Sequence, residues 1–113
     1  MTVAFLTRGA LLAGFIASGH ASFGRYGKDI VCAGASAVLL TAAAELKRLD
    51  VPVRIAMRNG FLTVRVRPTA VNGQRVLASA LLRAAHTGVS AIADRYGKRH
   101  VRVKVRTIHK REV

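Results

Sequence analysis

The sequence predicts a single α+β domain over residues 1–113, in which a largely antiparallel sheet is packed by two helices. A length of 113 residues with a hydrophobic fraction of 51% suits one modest core. Two long segments have helical periodicity, and five short segments have the apolar runs or the alternation of strands. The resulting order, β-β-α-β-β-α-β, is typical of an α+β fold.

The first two strands are predicted at residues 2–7 and 11–18, joined by a turn at Arg8-Gly9-Ala10. Residues 11–18 show little alternation of polar and apolar side chains, so we expect this strand to be buried on both faces. Together the two segments predict a hairpin.

A loop and a helix follow. Residues 19–28 contain three glycines and no apolar period, which predicts a loop. Asp29 suits an N-cap that accepts the N–H of Val31 or Cys32, and the helix should run from Ile30 to about Leu49. No charged residue occurs between Ile30 and Ala44. A helix that is apolar all round is buried on more than one side, so we predict a subunit interface here.

The second half repeats the pattern of a hairpin followed by a helix. Strands are predicted at residues 51–57 and 61–67, because Asn59-Gly60 between them is a strong hairpin signal. A second helix should span residues 73–96 and end at Gly97. In the last strand Val101, Val103 and Val105 occupy one face, and Arg102, Lys104 and Arg106 the other.

The only cysteine, Cys32, falls at the third position of the first helix. A thiol reacts as thiolate, and a helix N-terminus and a nearby imidazole both stabilise that form. His20, at the end of the second strand, would be the base, and Ser36, one helical turn past Cys32, would orient thiol or substrate. The alternative is an inert cysteine that packs as a small hydrophobe, with His20 an ordinary loop residue.

Other kinds of site find little support. A single cysteine excludes an intramolecular disulfide framework, and the chain has no Cys-x-x-Cys or His-x-x-x-His spacing for a metal. The glycine loop lacks the Lys-Ser/Thr pair of a phosphate-binding loop. We therefore expect no metal and no cofactor.

The predicted location is the cytoplasm. Arg8 followed by the apolar run 9–17 imitates a signal peptide, but the residues before Arg8 are themselves apolar and the run is short. The apolar part of the first helix is too short and too rich in alanine and glycine for a membrane span. We expect no membrane contact.

The motif around Cys32 resembles the Prp family, small cysteine proteases that process a bacterial large-subunit ribosomal protein. The resemblance is carried by Gly19-His20-Ala21, Gly24, Gly27, Asp29-Ile30-Val31-Cys32-Ala33 and Ser36-Ala37. It implies Cys32 as nucleophile and His20 as base, with Gly19, Asp29 and Ser36 in support. It also implies a homodimer that removes a short N-terminal extension ending beside aromatic residues. A mobile lid over an apolar peptide segment would consist of Ala21, Ser22, Phe23, Gly24, Arg25, Tyr26, Gly27 and Lys28, with Phe23 and Tyr26 capping a pocket.

The charge of the chain is strongly basic: 19 Lys and Arg against 5 Asp and Glu give +14. Such an excess favours polyanionic partners. If the strands are neighbours, their basic positions share one face, and like charges across strands indicate an anionic partner such as rRNA or the ribosome. These positions carry no aromatic residues, which favours phosphate contact over base stacking. They are Arg54, Arg58, Arg65, Arg67, Arg102, Lys104 and Arg106.

Two functions follow from these observations. The first is a thiol endopeptidase that clips a short extension from a ribosomal or phage-type protein. The alternative is a basic ribosome- or nucleic-acid-associated binding protein on the same fold with an idle dyad. A small basic toxin-like or regulatory protein is a third possibility, and the charged face could also be merely solvated.

Overall fold

Seven elements follow one another in the predicted order. The computed structural model describes residues 1–25 and 28–108. The elements are β1 (Thr2–Arg8), β2 (Leu11–Ser18), α1 (Ile30–Arg48), β3 (Val53–Arg58), β4 (Phe61–Val66), α2 (Asn72–Tyr96) and β5 (Arg102–Thr107). The predicted fold class is confirmed.

The five strands form one sheet in the order β3-β4-β2-β1-β5. Three of the four pairings are antiparallel, and β1 with β5 is parallel. β2 lies at the centre, where Phe15 and Ala17 are buried towards the main core and Ile16 is half-buried on the opposite face. β2 is therefore buried on the helix side and partly buried on the other side.

Both helices lie on the same face of the sheet, which the sequence did not reveal. One core cluster joins Phe5 and Phe15 of the sheet to Leu39 of α1 and Leu82 of α2. The helices approach each other closely where glycines face larger side chains. A Cβ added to Gly88 of α2 would lie 3.1 Å from Val38 Cγ1. The opposite face of the sheet carries no helix.

Several boundaries differ from prediction by one or two residues, and local contacts explain two of these differences. β3 begins at Val53 and not at residue 51, because Val51 N donates to Leu46 O (3.1 Å) and closes the turn after α1. β4 ends at Val66, and Arg67 N bonds Pro52 O (2.8 Å) just beyond it. Val105, predicted to share a face of β5 with Val101 and Val103, is 59% exposed on this edge strand.

Both helices also have the length and mean hydropathy of a membrane span. This is weak evidence, because the core helices of soluble proteins meet the same criteria. In this structure α1 and α2 pack against the sheet and against each other.

Candidate active site

Asp29 organises the start of α1. Its Oδ1 accepts the N–H groups of Val31 and Cys32, each at 3.0 Å, so it is the predicted N-cap. Its Oδ2 accepts the N–H groups of Phe23 (2.8 Å) and Gly24 (3.2 Å). Burial opposes ionisation of this carboxyl, but the four N–H bonds hold its pKa below the usual range. One carboxylate therefore ties the loop to the helix that carries Cys32.

The same carboxylate alters the electrostatic argument for Cys32. A helix N-terminus stabilises an anion through its unpaired N–H groups. Here the N–H of Cys32 already donates to Asp29, and an ionised carboxylate lies beside the thiol. The N–H groups of Val31 and Cys32 at the start of α1 are therefore already bound to a carboxylate.

Cys32 is half-buried at the junction of two cavities, and His20 and Ser36 border both of them. The wider cavity, about 490 Å³, is lined by His20, Ser22, Gly24, Asp29, Cys32, Ala33 and Ser36. The narrower cavity, about 140 Å³, is largely apolar and is lined by Met1, Ala17, Gly19, His20, Cys32, Ser36, Leu39, Leu40, Met57, Arg58, Gly60, Phe61 and Leu62. The structure thus brings together the side chains that the motif indicated.

The turn between β3 and β4 supports His20. Gly19 N donates to Gly60 O at 2.9 Å, which joins the end of β2 to this turn. Gly60 has a φ of +74°, and a Cβ placed on it would lie 3.2 Å from His20 Nε2. Glycine at this position therefore meets a backbone requirement and leaves room for the imidazole.

Sequence reasoning missed the residues that make the narrow cavity apolar. Met57 and Leu62 come from the β3–β4 hairpin, and Leu39 and Leu40 from α1. Asn59-Gly60 did predict the hairpin. Its position beside His20 follows from the pairing of β4 with β2, which no local pattern encodes.

The described part of the predicted lid is anchored. Ala21 is buried, and its carbonyl oxygen lies 2.9 Å from His100 Nδ1. The Phe23 ring packs edge-on against Tyr96 and His100, at 5.2 Å each, and does not border either cavity. Lys28 N donates to Arg25 O at 2.8 Å. Tyr26 and Gly27 lie outside the described residues, and movement of the loop stays a prediction.

The α-amino group of Met1 also contacts this region. It donates to His20 O at 2.6 Å and to His100 O at 3.0 Å. Burial lowers its pKa, while the nearby Cys32 and Asp29 act in the opposite direction. The first bond fixes the backbone of His20, and the second connects it through Met1 to His100.

The predicted basic residues lie mostly away from the cavities. Arg58 borders the narrow one, with its guanidinium carbon 5.2 Å from the centre of the Phe61 ring. Arg67 lies past β4, where its Nε donates to Val53 O at 3.2 Å. In residues 1–25 and 28–108, no three His, Cys, Asp or Glu side chains come together as a metal site.

Comparison with known proteins decides the family. A family model described as cysteine protease Prp matches residues 1–101. The chain belongs to the Prp family of cysteine proteases. The resemblance inferred from the motif is confirmed, and so is the prediction of a protease. No curated protein matches.

Solved structures agree with this assignment to the Prp family. An essential ribosomal processing protease Prp from S. aureus, with a covalently linked product peptide, has 28% identity and a TM-score of 0.79. The match covers 92% of this chain and 97% of that one. The S. aureus protease with a substrate peptide has 27% identity, the same coverage and a TM-score of 0.74. A protein from Streptococcus mutans shares the fold, with 24% identity, coverage of 95% and 94%, and a TM-score of 0.72.

Proposed function

We propose that this protease removes a short N-terminal extension from a large-subunit ribosomal protein, with Cys32 as nucleophile and His20 as base. The observation that carries the proposal is the position of Cys32 at the junction of two cavities that His20 also borders. Family membership and the S. aureus ribosomal processing protease support the substrate class.

The two cavities suit an extended peptide, with one side chain in the narrow cavity and the backbone in the wider cavity. The narrow cavity, about 140 Å³, is walled by Ala17, Leu39, Met57 and Leu62. An apolar cavity of ~150 Å³ accepts a benzene-sized group. This size supports an apolar or aromatic side chain beside the scissile bond. The wider cavity, about 490 Å³, has room for the peptide backbone that passes Cys32.

The chemistry requires one proton carrier and one nucleophile. His20 takes the proton of Cys32 Sγ, and the sulfur attacks the scissile carbonyl carbon. The C–N bond then breaks, and the imidazolium returns the proton to the leaving amine. The imidazole then takes a proton from water, and the hydroxide attacks the thioester and breaks its C–S bond. The imidazolium returns that proton to the sulfur, and the new carboxylic acid loses its own proton to solvent. Asp29 holds Cys32 through its backbone and takes no part in proton transfer.

Cleavage of a matched peptide tests the proposal. The substrate is a synthetic peptide that spans the extension of a large-subunit ribosomal protein from the same genome, and products are identified by mass spectrometry. Cys32→Ala should abolish cleavage, and His20→Ala should lower kcat by at least ~100-fold, the usual scale of general-base catalysis. Alkylation of Cys32 at neutral pH should be fast and should slow in His20→Ala. Cleavage by Cys32→Ala, or no cleavage by the native protein, would contradict the proposal and favour an idle dyad.

We also place the protein in the cytoplasm as a homodimer that contacts rRNA. Support for the dimer comes from an apolar stripe on the outer side of α1, which neither α2 nor the sheet covers. Its exposed members are Ile30, Ala33, Ala37, Leu40 and Ala44. Ala37→Glu should convert a dimer to a monomer in sedimentation equilibrium, because a charge would be buried without a partner. A native monomer at micromolar concentration would remove the dimer from the proposal.

A further inference from the structure

The face of the sheet without helices has a regular distribution of charge. Cross-strand partners form a continuous row over all five strands: Arg54, Arg65, Gly14, Leu6 and Arg106. Partners in a row share one face. This row begins and ends with an arginine on the two edge strands, and its middle holds a glycine and a leucine.

The neighbouring rows repeat this arrangement. One neighbouring row runs from Arg58 on β3 to Arg102 on β5. Another row, which lies between that one and the first, ends at Lys104 on β5. The centre of these rows consists of uncharged residues, namely Thr2, Ala4, Ile16, Ser18, Phe61 and Thr63. The face therefore has basic residues on both edge strands and Arg65 on β4 between them, and we call its uncharged central strip the trough. We call Arg54 and Arg58 the β3 rim, and Arg102, Lys104 and Arg106 the β5 rim. Four strand spacings separate the rims, which is about 19 Å.

The described strands supply no carboxylate to balance this charge. In residues 1–25 and 28–108 the acidic residues are Asp29, Glu45, Asp50 and Asp94, and each lies in a helix or a connecting segment. The fifth, Glu112, is outside the described residues. Like charges opposite each other, as in Arg54 and Arg65, destabilise an antiparallel pair. Basic rims on strands that carry no carboxylate favour an anionic partner.

The residues of the trough favour one class of anion. A bilayer surface would be met by protruding apolar side chains, but Leu6 in the trough is fully buried and Ile16 is half-buried. Base stacking would need several aromatic rings along the floor, but these rows contain one, Phe61, and the Arg58 guanidinium carbon lies 5.2 Å from the centre of its ring. Two parallel rims of arginine and lysine instead suit phosphates of a folded nucleic acid.

We propose that this face docks folded RNA through its phosphates while the peptide is cleaved on the helix-covered side. RNA and not DNA follows from the proposed function, because a ribosomal protein substrate is presented on rRNA. Of the rim residues only Arg58 borders the narrow cavity, so RNA held by the other four leaves the cleft open to the peptide. Docking would hold the protease beside its substrate without occupying the cleft.

Matched charge variants test the surface. Binding of a transcribed large-subunit rRNA fragment is measured by fluorescence anisotropy between 50 and 200 mM KCl. The rim variant is Arg54→Gln/Arg102→Gln/Lys104→Gln, and the control is Lys47→Gln/Arg83→Gln/Arg95→Gln, which removes equal charge from exposed helix positions. The rim variant should bind roughly tenfold or more weakly, with a salt slope smaller by about 2 to 3, because each lost phosphate contact removes about one counterion.

Equal losses in both variants, or no RNA binding by the native chain, would overturn the proposal. Tighter binding to duplex DNA, or to vesicles of anionic phospholipid, would assign the face to another partner and also overturn it. The peptide cleavage assay separates this inference from the proposed function. The rim variant should cleave a short peptide at the native rate, whereas an inactive native protein that still binds RNA would refute the protease and leave the surface intact.

Discussion

The β1–β2 and β3–β4 hairpins share a plan but differ in what surrounds their turns. Each joins an arginine to a hydrophobic residue across two positions, Arg8 to Leu11 and Arg58 to Phe61, and each turn contains a glycine with positive φ. A Cβ on Gly9 would meet nothing within 4 Å, whereas one on Gly60 would meet the His20 imidazole. The same local chemistry thus closes a strand pair in one place and supports a candidate base in the other.

Substitution of the two glycines should separate these roles most strongly. Gly60→Ala and Gly9→Ala should each cost about 1 to 2 kcal/mol of folding free energy, because both residues have left-handed φ. Gly60→Ala should in addition lower kcat/KM about tenfold, since His20 must shift by a few tenths of an ångström and catalytic geometry tolerates little displacement. Denaturant unfolding and peptide cleavage measure the two effects. Equal activity of both variants would show that the turn only closes the hairpin.

A substitution in the wall of the narrow cavity should have the next largest effect on substrate cleavage. Met57 of β3 is 68% exposed and lines this cavity, so Met57→Ala should change stability by less than about 0.5 kcal/mol. It should raise KM up to about tenfold for a substrate with an apolar residue beside the scissile bond, because a truncated pocket loses apolar contact. Val105→Ala, at a 59% exposed position on the opposite edge strand, is the control and should leave KM unchanged. A KM increase in both variants would remove Met57 from the binding site.

The β1–β2 hairpin depends instead on α2. The register shifts between Leu6 and Thr7, and Leu12 N donates to the buried Ser79 Oγ at 3.0 Å. Ser79→Ala should leave this N–H unsatisfied and cost about 1 kcal/mol of folding free energy with no change in kcat. Chemical denaturation and cleavage rates check this. A fall in kcat at full stability would contradict the division of roles between the hairpins.

The sequence predicted what is local and missed what depends on strand order. Asp29 and Cys32 are three positions apart, so a capping rule was enough to place the thiol on the helix. His20 and Gly60 are separated by 40 positions and meet only because β4 pairs with β2. Long-range pairing is governed by the packing of the whole core and by no local periodicity. The apolar wall around Met57 was missed for the same reason.

The charged residues give the same contrast between local features, which were predicted, and features of the folded chain, which were missed. Alternation along each strand predicted a basic face, and the register places Arg54, Arg65 and Arg106 in one row. The capping role of Asp29 was also predicted. The four N–H bonds that keep it ionised include two from the preceding loop, which no helix rule indicates. That one carboxylate binds both the loop and the helix became apparent only from the folded structure.

Asp29 lies on the other side of the site, where it fixes the backbone of Cys32 in the way that Gly60 supports His20. Its pKa is lowered on folding, so its carboxylate stabilises the fold above the unfolded pKa of about 3.9. That contribution is lost as the pH falls through the lower, folded pKa. Asp29→Asn should therefore weaken the loss of stability between pH 5 and pH 3, measured by urea unfolding at each pH. Asp94→Asn, at an exposed position of α2, is the control and should retain the native acid dependence. The same acid slope in Asp29→Asn and the native chain would show that the carboxylate bonds contribute little to folding.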